Sequence, residues 1–378
     1  MKVLSYCDGM SCGQIALNKL SIPVDDYFAT EIKPSAIKVT KDNFPNTKYL
    51  GDLTLITEED LKKLGSIDLF ISGTPCKDFS QANKVRLGLN GEKSSLFFNF
   101  VEALNIVKPK YFFFENVKMG KEDMDTISES LGVQPVRVNS KVVSGSLRDR
   151  FYWTNIPFVG DLSDKNIKLQ DVLESGWTDR DKARCLLESD SRPLSTPVKM
   201  FHRHYSTGFT TPIFLSEYHF KSCENHYNEN FKGLSANEIV CNSNVYDGIR
   251  YLNRNEREKL QGVPMNYTKS VSENEAAGLL GDGWAVDVVV EFFRTYYGIM
   301  NEVTRVTEIE NIKLGGGDAK AQSLTDKLNF AELGRFPEIF NLYNDYEKGY
   351  NTPYSVGFAI QLLKKKQFDF EREYFKLW

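Results

Sequence analysis

Between residues 1 and 155, short apolar runs alternate with stretches of helical periodicity, and that alternation leaves few folds open. Runs of strand character fall near 2–6, 26–30, 47–51, 67–72, 110–114 and 150–155, with helix-like segments between most of them. Such a pattern reads as α/β, a parallel, doubly wound sheet. In that architecture ligands sit beyond the carboxyl ends of the strands. Asp8, Glu31, Asp52, Cys76 and Glu115 all fall at those ends, so one crevice can hold all five.

The rest of the chain is less regular. From about 160 to 245 the periodicity decays into loops that contain all four histidines, His202, His204, His219 and His226. It returns at Leu252 to Leu260, and after the turn Gly281-Asp282-Gly283 a helix is expected from Trp284 to Phe293, packed back on the first domain. Gly315-Gly316-Gly317 then introduces a tail with Lys364-Lys365-Lys366, read as a solvated helix face. The expected divisions are 1–158, 159–270, 271–300 and 301–378, the last a linker and a helical extension.

Length and composition set broad limits. At 378 residues the chain has room for two or three units, and 41% hydrophobic with 26% charged residues excludes disordered and fibrous classes. No run of 18 apolar residues occurs, and the N-terminus begins a strand at Val3-Leu4-Ser5-Tyr6 without an export signal, so a cytoplasmic protein is expected. The six cysteines form no CxxC pair, which favours reduced thiols and leaves Cys76 free to act as a nucleophile. A formal net charge of -4 gives no general attraction to nucleic acid, so any binding depends on the local charge of a cleft.

The residues at the strand ends carry chemistry. Asp8-Gly9, with Gly13 at the start of a helix, departs from the dinucleotide fingerprint, whereas Glu31 is placed to accept hydrogen bonds from ribose hydroxyls. With Asp52 placed to meet an adenine amino group, these residues suggest an adenosine-containing cofactor without a pyrophosphate. Pro75 fixes the chain before Cys76, and Lys77 adds positive potential that favours a thiolate. Glu115 follows the apolar run Tyr111-Phe112-Phe113-Phe114, where a carboxyl group is expected to be partly desolvated, the condition under which it keeps a proton to donate. A thiol and a carboxyl group presented together suit attack on carbon 6 of cytosine, a ring that must be protonated as it is attacked. Arg148 and Arg150 occupy alternate positions, so both can reach the same face beside Glu115.

Pro75-Cys76, Glu115-Asn116-Val117, Arg148-x-Arg150, Leu260-Gln261-Gly262-Val263-Pro264 and Gly281-Asp282-Gly283-Trp284, in that order, resemble the DNA cytosine-5 methyltransferases over roughly residues 2 to 298. The wording is closest to the animal de novo branch and to phage relatives. The resemblance implies a Rossmann-like catalytic domain with a smaller, irregular target recognition domain, S-adenosylmethionine as methyl donor, and double-stranded DNA as partner. It implies an enzyme of the restriction-modification type in a bacterial or phage-infected cell. Cys76, Glu115, Arg148 and Arg150 are the expected catalytic set. The donor is expected against Cys7, Asp8, Gly9, Met10, Ser11, Cys12, Gly13, Glu31, Ile32, Asp52, Leu53, Pro75, Leu96, Asp282, Gly283 and Trp284. Cys7, Ser146 and Asp282 depart from the family's usual aromatic, Gln or Lys, and Asn.

DNA is expected against Ser80, Gln81 and Asn116, and against Lys199, His202, Arg203 and His204, which with Tyr205 combine cations and aromatics suited to phosphates and bases. His202-Arg203-His204 and His219-x3-Cys223-x2-His226 match no standard zinc spacing, so no metal site is expected. Two alternatives stand beside this reading. One is a tRNA cytosine-5 methyltransferase, whose Cys-Phe-Thr signature is not found here, and the other is a non-catalytic DNA-binding paralogue, which would ordinarily have lost the nucleophile or the carboxylate.

Overall fold

The computed structural model describes residues 1–75, 88–91, 94–158, 162–187 and 196–294. The 301–378 tail lies outside them. Seven strands make the main sheet: β1 (Lys2–Tyr6), β2 (Asp26–Thr30), β3 (Lys48–Gly51), β4 (Leu69–Ser72), β5 (Tyr111–Asn116), β6 (Val136–Asn139) and β7 (Asp149–Thr154). Helices α1 (Cys12–Lys19), α2 (Pro34–Asn43), α3 (Glu58–Lys63), α4 (Leu96–Val107) and α5 (Lys121–Leu131) connect them. The strand order is β3-β2-β1-β4-β5-β7-β6. Because the chain winds outward from β1 in one direction and from β4 in the other, the topological switch lies between these two strands, where α/β sheets open their ligand crevice.

β1 to β5 pair in parallel, as the alternation predicts. The sheet is not parallel throughout, however, for β7 runs antiparallel to both β5 and β6. Between β6 and β7 the chain holds only the 3-10 turn Ser140–Val142, and without a crossover helix it returns antiparallel. β6 itself escaped the sequence reading, being four residues long with Val138 its one buried side chain.

Every residue of β5 is buried. Phe112 and Phe114 join the core with Leu4, Tyr6, Phe70, Phe97, Phe100 and Trp153. Phe113 points to the opposite face and meets Trp284, Phe292 and Phe293 edge-on, at 5.3–5.5 Å between ring centroids. Phe292 and Phe293 belong to a helix over 286–294, so the expected C-terminal helix does pack on the sheet. With both faces covered, β5 reads as an unbroken apolar run rather than an alternating one.

The irregular part is built on α6 (Pro197–His202), α7 (Glu217–Asn230) and the short pair β8 (Pro212–Ile213) and β9 (Arg250–Tyr251). Its apolar cluster centres on Phe201, which contacts the rings of Phe214, Phe220, Tyr227 and Tyr246. α8 (Arg254–Leu260) and α9 (Glu273–Asp282) then lead back to the sheet. Among the described residues no helix is long and apolar enough to cross a membrane.

Candidate active site

At the carboxyl end of β1 the chain turns sharply, with Cys7, Gly9 and Ser11 all in the left-handed region, at φ 52°, 59° and 61°. Such turns hold only when surrounding bonds fix them. Asp8 supplies those bonds, accepting from Ser5 Oγ and Tyr27 Oη at 2.7 Å each and from Ser11 Oγ. Burial raises the Asp8 carboxyl to about 6, against the opposing effect of the three hydroxyls. Its carboxylate therefore braces the turn from inside instead of facing the crevice. Gly9 N donates to Glu31 Oε2 at 2.8 Å, while Glu31 Oε1 accepts from Ile32 N and Lys33 N, so one side chain ties the turns after β1 and β2 together. A Cβ on Gly9 would meet nothing within 4 Å, which leaves open space beside this turn.

The residues around that space suit an adenosine. Ile32 is 69% exposed at the mouth, a bare apolar surface beside the Glu31 carboxylate. Asp52 caps the turn after β3, accepting from Thr54 N at 2.9 Å and Thr54 Oγ1 at 2.8 Å, and Leu53 behind it is buried. Burial, then the charges of Glu31, Asp52 and Asp8, push the Cys7 thiol up to about 12, so these acids converge on one place. On the far side, Gly73 packs against Trp284, where an added Cβ would stand 2.6 Å from the indole Nε1. Gly283 packs over Met10 and Cys12, where an added Cβ would stand 3.0 Å and 3.1 Å from their side chains, and Tyr267 Oη donates to Met10 O at 2.7 Å. Asp282 reaches Lys33 Nζ at 3.2 Å across the mouth. Gly13 lies in the first turn of α1 against Ile71 and Tyr27, and Leu96 opens α4 on the core.

β4 and β5 bring the second half of the site together. Their register sets Ser72 opposite Phe114, so the chain through Thr74 and Pro75 emerges beside Glu115 and Asn116. Asn116 was expected at DNA, but it is only 1% exposed, and its Nδ2 lies 3.4 Å from both Thr74 O and Thr74 Oγ1. It ties the two strand ends together. Glu115 is buried, and Arg150 Nε stands 3.1 Å from its Oε1. That contact has ion-pair distance without hydrogen-bond alignment, and Oε1 has no hydrogen-bond partner among the described residues. Arg148 instead turns to the 281–283 segment, donating to Gly281 O at 3.0 Å and Asp282 O at 3.4 Å. Cys76, Ser80 and Gln81 lie outside the described residues.

Sequence reasoning gave no role to Cys185, yet its Sγ lies 3.5 Å from Arg148 Nη1 and 4.0 Å from Arg150 Nη2. No motif marks it, and more than thirty residues separate it from either arginine. Gln261 was seen only as part of a motif. Buried, it donates to Leu280 O and Gly283 O and accepts from Val286 N, which locks the Gly283-Trp284 turn in place.

Of the cations expected at DNA, Lys199, His202 and Arg203 are half-buried, and His202 Nδ1 contacts Tyr227 Oη at 2.7 Å. His204, also expected at DNA, lies deeper. It is buried, with Nε2 2.9 Å from Asp179 Oδ2 and Nδ1 3.0 Å from an Arg180 Nη2, so it braces its loop from within. His219 and Cys223 both donate to Val245 O, at 2.9 Å and 3.1 Å. Among the described residues no three His, Cys, Asp or Glu gather as metal ligands.

Comparison with known proteins fits this geometry. Type II methyltransferase M.NgoBV of Neisseria gonorrhoeae is 33% identical over 184 residues, which are 43% of this chain and 42% of that protein. Orphan methyltransferase M.SPRI of Bacillus phage SPR is 34% identical over 120 residues, 31% of this chain and 26% of that one. The chain thus spans less than half the length of these curated relatives. The solved Spodoptera frugiperda DNMT2 mutant shares the fold, with a TM-score of 0.59 and 18% identity over 78% of this chain and 99% of that one. Residues 1–128 match the family model for C-5 cytosine-specific DNA methylase.

Proposed function

We propose that this chain is a DNA cytosine-5 methyltransferase, which moves a methyl group from S-adenosylmethionine to carbon 5 of a cytosine swung out of duplex DNA. The observation that carries the reading is the shared edge of β4 and β5, where buried Glu115, paired to Arg150, stands beside the Thr74-Pro75 segment that leads into Cys76. Swinging the base out is required because both faces of the ring are stacked in the duplex. The Cys76 sulfur bonds to carbon 6, and the double-bond electrons shift to carbon 5. Glu115 donates to ring nitrogen 3 as negative charge develops, and Arg150 holds its carboxyl group in place. Loss of the carbon 5 proton after transfer expels the sulfur and restores the double bond.

S-adenosylmethionine supplies an electrophilic methyl group and leaves as S-adenosylhomocysteine. Glu31, Ile32, Asp52 and the open turn at Gly9 suit its adenosine, and Trp284 with Gly73 and Pro75 closes the side toward Glu115. Residues 1–158 hold donor and chemistry, 159–270 recognise the target, 271–300 complete the catalytic layer, and 301–378 form an accessory tail. DNA is met by Ser80 and Gln81 beside Cys76 and by Lys199, His202 and Arg203, in the cytoplasm of a bacterial or phage-infected cell.

The test is incorporation of labelled methyl from S-adenosylmethionine into duplex DNA and, in parallel, into tRNA. Wild type is expected to label DNA at carbon 5, Cys76→Ala to be inactive, and Glu115→Gln to lose about 10²- to 10⁴-fold in rate, the ordinary value of a positioned acid. Labelling of tRNA alone moves the reading to RNA. Equal labelling by wild type and Cys76→Ala defeats the covalent mechanism.

A further inference from the structure

We propose that Cys185 is a positioning residue for this site, its sulfur set between the guanidinium groups of Arg148 and Arg150 so that Arg150 stays turned onto Glu115. The inference rests on the reading that Glu115 serves the target base. Cys185 Sγ lies 3.5 Å from Arg148 Nη1 and 4.0 Å from Arg150 Nη2, and Arg150 Nε in turn lies 3.1 Å from Glu115 Oε1. Four groups from three separate stretches of sequence are thus linked in a chain, from Arg148 through sulfur to Arg150 and Glu115.

Charge explains what sulfur does there. Among the described residues the charged groups facing it are Arg148 and Arg150, with Glu115 beyond them and Arg184 next to it on its own segment. Arg148 is buried and Arg150 nearly so, and two cations so placed repel unless anions stand between them. Glu115 meets Arg150 on one side, and a thiolate at Cys185 supplies a negative charge between the two guanidinium groups. Three other cysteines behave differently. Burial pushes Cys7, Cys12 and Cys223 up to about 12, whereas at Cys185 the same effect of burial is outweighed by Arg148 and then Arg150, which hold the thiol below its ordinary value. Without that charge Arg150 is still held beside Glu115 by the ion pair and by its Nη1 bond to Asp149 O, but its orientation toward the carboxyl group loosens. Arg148, bonded to Gly281 O and Asp282 O, fixes the other side of the sulfur to the turn beside the donor site.

Two measurements on the full-length chain test this. The first follows the pH dependence of iodoacetamide alkylation at Cys185 in a Cys76→Ala background, read by peptide mass spectrometry. Half-maximal reactivity is expected below the free-thiol value of about 8.5, and it should move upward in Arg148→Gln and Arg150→Gln. The second is methyl transfer in the otherwise wild-type chain. Cys185→Ala and Cys185→Ser should lower kcat on the order of 10- to 100-fold with KM little changed, as expected for a misplaced reacting group. Cys185→Asp, which restores the charge, should recover most of that loss. Reactivity at or above the free-thiol value overturns the proposal, and so does full activity in Cys185→Ser. If wild type methylates neither DNA nor tRNA, the proposed function has failed, and the alkylation profile still decides whether the sulfur is the counter-charge.

Discussion

Asp8 couples the turn after β1 to pH. The unfolded chain ionises this carboxyl at 3.8, while burial in the folded state raises it to about 6, so between those values the folded protein binds more protons. Its contribution to stability is complete below 3.8 and is lost as pH rises through about 6, a difference of about 3 kcal/mol. Asp8→Asn removes the titration. In urea melts, the stability of wild type minus that of Asp8→Asn should fall by about 3 kcal/mol as pH rises across that window, and a flat difference contradicts it. The neighbouring residues show what a sequence makes visible at this scale. Arg150 beside Glu115 followed from alternate spacing on a strand, a local property. The burial of Asn116 and His204 did not, because each is set by a partner distant in the chain, Thr74 and Asp179. Cys185 needed the fold for the same reason.

At the scale of elements, α8 starts from a capping box between Asn253 and Glu256, and the Glu256 side chain is fully buried. Both of its oxygens pair with Arg250 of β9 at 2.8 Å, and they also accept from Glu174 N and Asn253 N. One residue thereby joins a helix start, a strand and a loop. Glu256→Ala should cost about 3 kcal/mol, the lower end of the range for breaking a buried pair, because Arg250 is partly exposed. A shift in the denaturant midpoint at constant slope checks this, and an unchanged midpoint counts against it. β1, β2, β4 and β5 were legible because short apolar runs mark buried strands, whereas partly exposed β3 offered only Tyr49 and Leu50. β6 left one buried side chain as its signal, and the antiparallel return of β7 depends on what the connection lacks, which periodicity does not report.

Across the whole molecule, the sheet and its carboxyl edge were readable from pattern, and the irregular part built on α6 and α7 was not. Its core gathers Phe201, Phe214, Tyr227 and Tyr246 from α6, the stretch after β8, α7 and a 3-10 turn, and even α7 buries only Cys223 and Tyr227, so no window of sequence carries a clear period. The comparisons divide in a similar way, the family model matching residues 1–128 and the fold similarity extending over 78% of the chain. Sheet topology survives where sequence identity is 18%, because many apolar side chains fill the same core. Central to the proposed function is one sulfur and one carboxyl group acting on one pyrimidine. The most direct measurement incubates the full-length chain and S-adenosylmethionine with duplex DNA in which cytosine is replaced by 5-fluorocytosine, which blocks the final proton loss. A protein–DNA adduct that survives denaturation and maps to Cys76 by mass spectrometry is the predicted result. Methylation of ordinary DNA by the same preparation, with no adduct at Cys76, would contradict the account.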